Sequence, residues 1–437
     1  MTRFDPSGPL RGALRPPSDK SISHRAALIA AMGEGTVQVN GYLDGADTLS
    51  TLAAVEKLGA KVVRERNSGS GAVDPPGLTV WIEGVGLRSA RSAEIDVGNA
   101  GTLLRLLPGW LSGQVGQEWT LDGDESIRRR PVDRISVPLR EMGADLSARE
   151  ERLPPLQIRG ARLRGITYEM PIASAQVKSC LLFAGLLAEG ETRVVEPLPS
   201  RDHTERMLAA AGASIERHGD AVAVRPVERL EPEDLLVPAD ISSAAFFLTA
   251  AALIPGSEVK LEWVGVNETR TGLLTILERM GAQIEREKEF EIGGERVATL
   301  RVRTSSLQAT KVGGAEIPLA IDELPLVALA ACFAEGTTTI RDAEELRRKE
   351  SDRIETVTAA LRALGGKVEP TEDGMVIEGT GGLRGGTIDS HGDHRIAMLG
   401  AIAGLASNEG VEVQGMEAAA VSYPGFEQDL ALLIVSR

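Results

Sequence analysis

Aromatic side chains are scarce in this chain: 4 Trp, 3 Tyr and 7 Phe in 437 residues. A nucleic-acid surface needs stacking rings and a basic stripe. The ring count argues against the first and the formal charge of −15 against the second. Lysine is nearly as rare, 9 against 39 arginines, so each lysine inside a motif carries weight. Cysteine occurs twice, at Cys180 and Cys332, both inside apolar helical runs. That gives no disulfide framework and no paired-cysteine zinc site, and it predicts two buried reduced thiols. The histidines His24, His203, His218, His391 and His394 have no metal-ligand spacing. The closest pair, His391 and His394, suits a helix start better than a metal, so no metal is expected. A GxSxG elbow, a Walker loop and a GxGxxG turn are all absent. The longest apolar run, AAFFLTAAALI at 244–254, is too short to cross a bilayer, and the opening MTRFDPSGPLRG has no signal core. A soluble cytoplasmic protein is expected. What remains is a cofactor-free enzyme or a binder of small anions, because cations can gather locally even in an acidic chain.

What the chain does contain is a repeat. Six times an Ala/Leu-rich helix closes near a glycine and a strand-like run follows: AAMGEGTVQV, LSGQVGQEWTL, GLLAEGETRVV, AALIPGSEVKL, CFAEGTTTI and LASNEGVEV. The glycines are Gly35, Gly116, Gly190, Gly256, Gly336 and Gly410, spaced 66 to 81 residues apart. A second marker interleaves five times, as VEKLGAKVV, LREMGADLS, MLAAAGASIE, LERMGAQIE and LRALGGKVE. Each reads as an amphipathic helix ended by glycine, then a strand. A unit of roughly 75 residues is too long for the common solenoids and suits two helices with several strands. Six units suggest two domains of three, divided near the Pro- and acid-rich PVERLEPEDLLVPAD at 226–240. The N-terminal segment is expected to complete the last unit.

The polar residues ahead of each first helix point to function. The leaders are SDKSISHR, GNAGTLLR, ASAQVKS, ADISSAAF, IDELPLVAL and GDHRIAML. A helix start offers unpaired N–H groups and the positive dipole end, both of which favour anions. Several leaders add donors or cations: Lys20, Ser21 and Arg25; Asn99, Thr102 and Arg105; Ser174, Gln176 and Lys178; His394 and Arg395. Ser21 and Arg25 are four apart and share one helix face. Each cluster alone also reads as routine capping, and Asp240 and Ser242 are read as caps only. Repeated cationic leaders in an acidic chain imply a polyanionic ligand. SIRRRPVDR puts Arg128, Arg129 and Arg130 before Pro131, read as a first helical residue. LRRKESDR places Lys349 and Arg353 four apart around Glu350, and the usual reading of such a run is a solvated helix face. SRDHTERM reads as a capped start, with Ser200 or Asp202 as the cap.

Together these motifs resemble the 5-enolpyruvylshikimate-3-phosphate synthase family. The stretches DKSISHR, GNAGTLLRLL, RRPVDRISVPLREMGA, SAQVKSCLLFAGL, SRDHTERML, RRKESDR, DHRIAM and SYPGF carry the likeness over nearly the whole chain. The resemblance implies an α/β fold of two domains, each of three βαβαββ-type units, with helix starts facing an interdomain cleft. It places 1–19 with 241–437 in one domain and 20–240 in the other. It implies a cofactor-free, monomeric enzyme of aromatic amino acid biosynthesis that acts on phosphoenolpyruvate and shikimate 3-phosphate and is a target of glyphosate. By the same likeness Lys20, Asp322 and Glu350 are catalytic. Lys20, Ser21, Arg25, Ser174, Gln176, Ser200, Arg201, Asp322 and Lys349 bind shikimate 3-phosphate. Lys20, Asn99, Gly101, Arg130, Gln176, Arg353 and Arg395 bind phosphoenolpyruvate.

The chain departs from the best-known bacterial form at Ala175, His203, Glu345 and Leu106, and at Val421, where that form has a phosphate-binding lysine. Arg128 or Arg129 is the expected substitute for that charge. Gly101 lacks the methyl that excludes glyphosate in tolerant enzymes. The sister enzyme acting on UDP-N-acetylglucosamine carries a reactive cysteine in a loop that here reads DGDESIRRRP, without one. An RNA-cyclase-like or non-catalytic relative is disfavoured by the acidic charge, the few rings, and the retention of Lys20, Asp322 and Glu350.

Overall fold

The computed structural model describes residues 1–67 and 75–434. Eight helices position the site: α1 (Lys20–Met32), α2 (Gly101–Leu111), α3 (Ala175–Gly185), α4 (His203–Ala210), α5 (Ile241–Leu253), α6 (Leu324–Phe333), α7 (Arg353–Ala363) and α8 (His394–Ala406). Local chemistry sets most of their starts. Asp19, Ser174, Asp240, Asp352 and Asp393 each sit in an extended conformation and accept backbone N–H groups of the first turn, satisfying donors that would otherwise be orphaned. Helix α5 is buried continuously from Ile241 to Ala252, as expected of a helix that is apolar all round.

The strands realise a repeated βαβαββ unit. In the second repeat, Ala93–Asp96 leads through α2 to the parallel Glu118–Asp122, and Leu153–Arg159 and Asp145–Arg149 follow antiparallel. The sheets built on Thr192–Val195 and on Thr337–Ile340 repeat this order. The first and fourth repeats exchange their leading strands. Arg11–Leu14 precedes α1 in the chain but pairs with Glu258–Gly265, whereas Leu235–Leu236 precedes α5 but pairs with Thr36–Tyr42. In the last repeat Gly386–Asp389 is parallel to Val411–Gln414, and Thr2–Phe4 adds antiparallel to it.

The chain forms two compact units, 1–17 with 239–290 and 296–437, and 18–238 with 291–295. Each has its own apolar core. Residues 291–295, which the repeat pattern assigns to the former, group with the latter.

Within unit 18–238, α2 lies against α3 at Gly109. A Cβ there would stand 2.0 Å from the Cys180 carbonyl oxygen. The clash outweighs alanine's advantage in a free helix, so Gly109→Ala should destabilise by on the order of 2 kcal/mol. Urea denaturation reads this; an unmoved midpoint would mean that α2 and α3 part at no cost. Both cysteines are free and buried. Burial pushes the Cys332 thiol up to about 12 and holds Cys180 well above the ordinary thiol range. Among the described residues no helix is long and apolar enough to cross a membrane.

Candidate active site

The leaders of unit 18–238 divide into three groups. In the first, Lys20 Nζ lies 3.2 Å from Asp47 Oδ2, with its side chain 23% exposed. Arg25 is buried: its Nε donates to Thr204 Oγ1 at 2.6 Å, NH2 to Ser179 Oγ at 2.9 Å and NH1 to the Ser21 carbonyl at 2.9 Å. Ser21 and Arg25 therefore do meet, on one turn of α1. Burial pushes the imidazole of His24 down to about 3, and its Nδ1 is 2.6 Å from Thr51 Oγ1, so it is a neutral core group.

The second group gathers at the start of α2. Arg130 NH2 donates to Asn99 Oδ1 at 3.0 Å and to Ser126 Oγ at 3.2 Å, while Asn99 Nδ2 donates to Asp124 Oδ2 at 2.6 Å. Gln176, from α3, donates to Thr102 Oγ1 at 3.2 Å. Gly101 faces two guanidinium groups: a Cβ there would lie 2.7 Å from Arg130 NH1 and 3.0 Å from Arg105 NH1. Asn99, Gly101, Arg130 and Gln176 thus share one neighbourhood, and Arg105 belongs to it.

Two neighbouring arginines are paired within the protein. Arg128 is held by Asp122, with Nε at 3.0 Å and NH2 at 2.7 Å, and Arg129 pairs with Glu125 at 3.3 Å. Arg105, one turn into α2, stands beside Gly101 together with Arg130. Pro131 also lies ahead of its helix, which begins at Asp133. Arg130 is extended, as the residue before a proline prefers.

The third group joins the start of α3 to the loop after Thr192–Val195. Ser174 caps α3 by accepting from Val177 N. Of the two alternatives for α4, Asp202 holds the cap position, without a side-chain cap bond. His203 Nδ1 is 2.7 Å from Glu295 Oε1, both buried. The Ser200 hydroxyl donates to Glu196. Lys178, read from sequence as a ligand-facing cation, is fully buried: its Nζ lies 2.9 Å from Glu196 Oε2, 2.7 Å from Glu205 Oε1 and 3.3 Å from the Ser200 carbonyl.

The other unit gathers a denser cluster. Asp322, in the turn before α6, has its Oδ1 3.2 Å from Lys349 Nζ and 3.5 Å from Arg353 NH1. Arg353 NH2 donates to Glu350 Oε2 at 2.6 Å, and its Nε to Asp393 Oδ2 at 2.8 Å. Arg395 NH1 donates to the Asp322 carbonyl at 3.0 Å and to Glu323 Oε1 at 3.3 Å. Asp322, Lys349, Glu350, Arg353 and Arg395 therefore meet in one place. The RRKESDR run is not a solvated helix face. It turns before α7, so that Lys349 and Glu350 precede the helix and Arg353 opens it.

Burial alone would lower the Arg353 pKa, but the carboxylates of Asp393, Glu350 and Asp322 more than offset it and hold it above the usual value. Burial likewise pushes the Asp393 carboxyl up, and the Arg353 charge and hydrogen bond bring it below the ordinary range. Neither Asp393 nor Glu323 was singled out from sequence. Both stand at helix-cap positions, where an acid reads as a cap. Ser242, read as a cap only, sends its hydroxyl to Glu323, and Asp240 also accepts from Arg270 NH2 at 3.1 Å.

Repeated βαβαββ units whose helix starts gather cations and paired carboxylates mark an α/β protein of the enzyme class. Residues 4–430 match the family model described as EPSP synthase (3-phosphoshikimate 1-carboxyvinyltransferase), and the chain belongs to that family. It is similar to the 3-phosphoshikimate 1-carboxyvinyltransferase of Roseiflexus castenholzii, 51% identical over 95% of this chain and 96% of the relative. The corresponding protein of Thermoanaerobacter sp. is 45% identical over 97% and 98%. The solved structure of EPSP synthase from Acinetobacter baumannii matches with a TM-score of 0.87 at 41% identity, over 99% of this chain and 98% of that one.

Proposed function

We infer that the protein transfers the enolpyruvyl group of phosphoenolpyruvate to the 5-hydroxyl of shikimate 3-phosphate and releases phosphate. The observation that carries the reading is the convergence of Lys349 and Arg353 on the Asp322 carboxylate, of Arg353 on Glu350, and of Arg395 on the Asp322 carbonyl. Two carboxylates serve the two proton transfers. Asp322 takes the proton of the attacking hydroxyl as its oxygen bonds to the enol carbon, and Glu350 gives a proton to the methylene carbon. In the second half, Glu350 removes a proton from the resulting methyl group, the enol double bond re-forms and the carbon–phosphate oxygen bond breaks.

Arg395 and Arg353 hold the phosphoenolpyruvate carboxylate, to which planar guanidinium forks are suited. Asn99, Gly101, Arg130 and Gln176 surround its phosphate, with Lys20 acting there as donor. Ser21 and Arg25 hold the shikimate carboxylate, Ser174, Ser200 and Arg201 the 3-phosphate, and Lys349 orients that substrate. Fixed charges supply most of the catalysis. Phosphate release on mixing the protein with phosphoenolpyruvate and shikimate 3-phosphate tests it. Release with UDP-N-acetylglucosamine in place of the shikimate would overturn it. The buried positions of Cys180 and Cys332 favour the shikimate reading, since neither thiol can serve as the sister enzyme's reactive cysteine.

Glyphosate is proposed to compete at the Gly101 neighbourhood. In Gly101→Ala the new methyl must displace the Arg130 and Arg105 guanidinium ends, which are flexible, so the protein folds but the anion contact loosens. The KM for phosphoenolpyruvate should rise about tenfold, the loss of one charge-assisted contact, and glyphosate inhibition should weaken at least as much. An unaltered enzyme insensitive into the millimolar range would remove glyphosate from the reading.

A further inference from the structure

Lys178 is a buried cation with no exposed surface, and the mechanism above gives it no contact with substrate. Its surroundings are specific. Glu196 directly follows the strand Thr192–Val195, Ser200 lies in the same loop, and Glu205 is on the first turn of α4. One ammonium from α3 reaches all three: Glu196 at 2.9 Å, Glu205 at 2.7 Å and the Ser200 carbonyl at 3.3 Å. The Ser200 side chain is held by the same assembly, because its hydroxyl donates to Glu196. Arg217 NH2, 3.6 Å from Glu196 Oε2, brings the charges of the group to balance. Both the backbone and the hydroxyl of Ser200 are therefore referred to a single lysine. A fully desolvated lysine is costly unless paired, and here it brackets the loop that carries Ser200 and Arg201.

We propose that Lys178, acting through Glu196, is a positioning residue that fixes the 196–202 loop for the phosphate of shikimate 3-phosphate. The proposal rests on the assignment of Ser200 and Arg201 to that phosphate. Lys178 itself does not touch the ligand, because its ammonium is fully buried, hydrogen-bonded to Glu196 and the Ser200 carbonyl and ion-paired with Glu205. When the Ser200 hydroxyl turns to the phosphate, Glu196 keeps Lys178 and Arg217 as partners. The exchange therefore leaves no buried carboxylate unpaired.

The test compares Lys178→Met and Lys178→Arg with the unaltered enzyme in steady-state phosphate release, with melting curves to establish the folded fraction. Lys178→Met should raise the KM for shikimate 3-phosphate about tenfold or more, the cost of one lost charge-assisted contact. The KM for phosphoenolpyruvate and kcat at saturation should stay within about threefold. Lys178→Arg keeps the charge and should recover part of the loss. Should Lys178→Met fail to fold, Lys178→Arg carries the test alone. A planar fork cannot reproduce three tetrahedral donors, so the same KM should still rise, and selectively. A folded variant with an unchanged KM for shikimate 3-phosphate, or with both KM values raised alike, overturns the proposal. Absence of phosphate release by the unaltered enzyme refutes instead the reading on which it rests, and is seen before any variant is compared.

Discussion

Replacing Glu350 by glutamine should lower kcat by about 10²–10⁴-fold, the usual worth of a positioned acid–base group. The amide keeps the length of the side chain and an acceptor oxygen for Arg353 NH2, which donates to Glu350 at 2.6 Å. The geometry of Arg353 should survive, and what disappears is the capacity to carry a proton to and from the methylene carbon. The two effects separate in the Michaelis constants. Had the substitution merely loosened Arg353, the KM for phosphoenolpyruvate would rise. With a negative charge removed beside an anion site, that KM should instead hold steady or fall, and calorimetric binding of shikimate 3-phosphate should change little. Near-normal turnover in Glu350→Gln would take this residue out of the proton transfers.

Arg353→Ala should be the most damaging single substitution in the cluster, abolishing phosphate release and destabilising the fold by about 3–5 kcal/mol. The guanidinium is 1% exposed and faces Asp393, which has no exposed surface, together with Glu350 and Asp322. Deleting the cation leaves Asp393 buried, and the two other carboxylates beside it, without the charge that offsets their mutual repulsion. Urea denaturation measures the loss. A companion double variant, Arg353→Ala with Asp393→Ala, should recover part of the stability, because the buried carboxylate leaves with its partner, and should recover none of the activity. A melting temperature within a degree or two of the unaltered protein for Arg353→Ala would show that the buried ion pair contributes nothing.

Both predictions concern a stretch, RRKESDR, whose chemistry could not be read from its pattern. Charges at four-residue spacing have the form of a helix face, and the resemblance alone raised Lys349, Glu350 and Arg353 above that reading. The chain turns before Arg353, and the three side chains converge because Asp322 and Asp393, 31 and 40 residues from Arg353, come to it through space. The same limit applies in the other unit. Lys178 looked like one more ligand-facing cation behind a helix cap until Glu196 and Glu205 arrived from outside its helix. Arg128, expected from sequence at a phosphate site, pairs with Asp122 six residues back. In each instance the cation was legible and its partner was not.

By itself, the sequence determined what depends on neighbours in the chain. Caps at Asp19, Ser174, Asp352 and Asp393 act within three residues, and the amphipathic and apolar periods that mark each helix are written in consecutive residues. From these the repeated unit, the polar helix starts and their preference for anions all followed. Tertiary structure alone decided which unit receives each leading strand, since Arg11–Leu14 and Leu235–Leu236 pair away from the helices they precede. It also decided which carboxylates each cation meets, as when Lys349 and Arg353 converge on Asp322. Ion pairing is a matter of a few ångströms and of local burial, and neither quantity is a property of position along the chain.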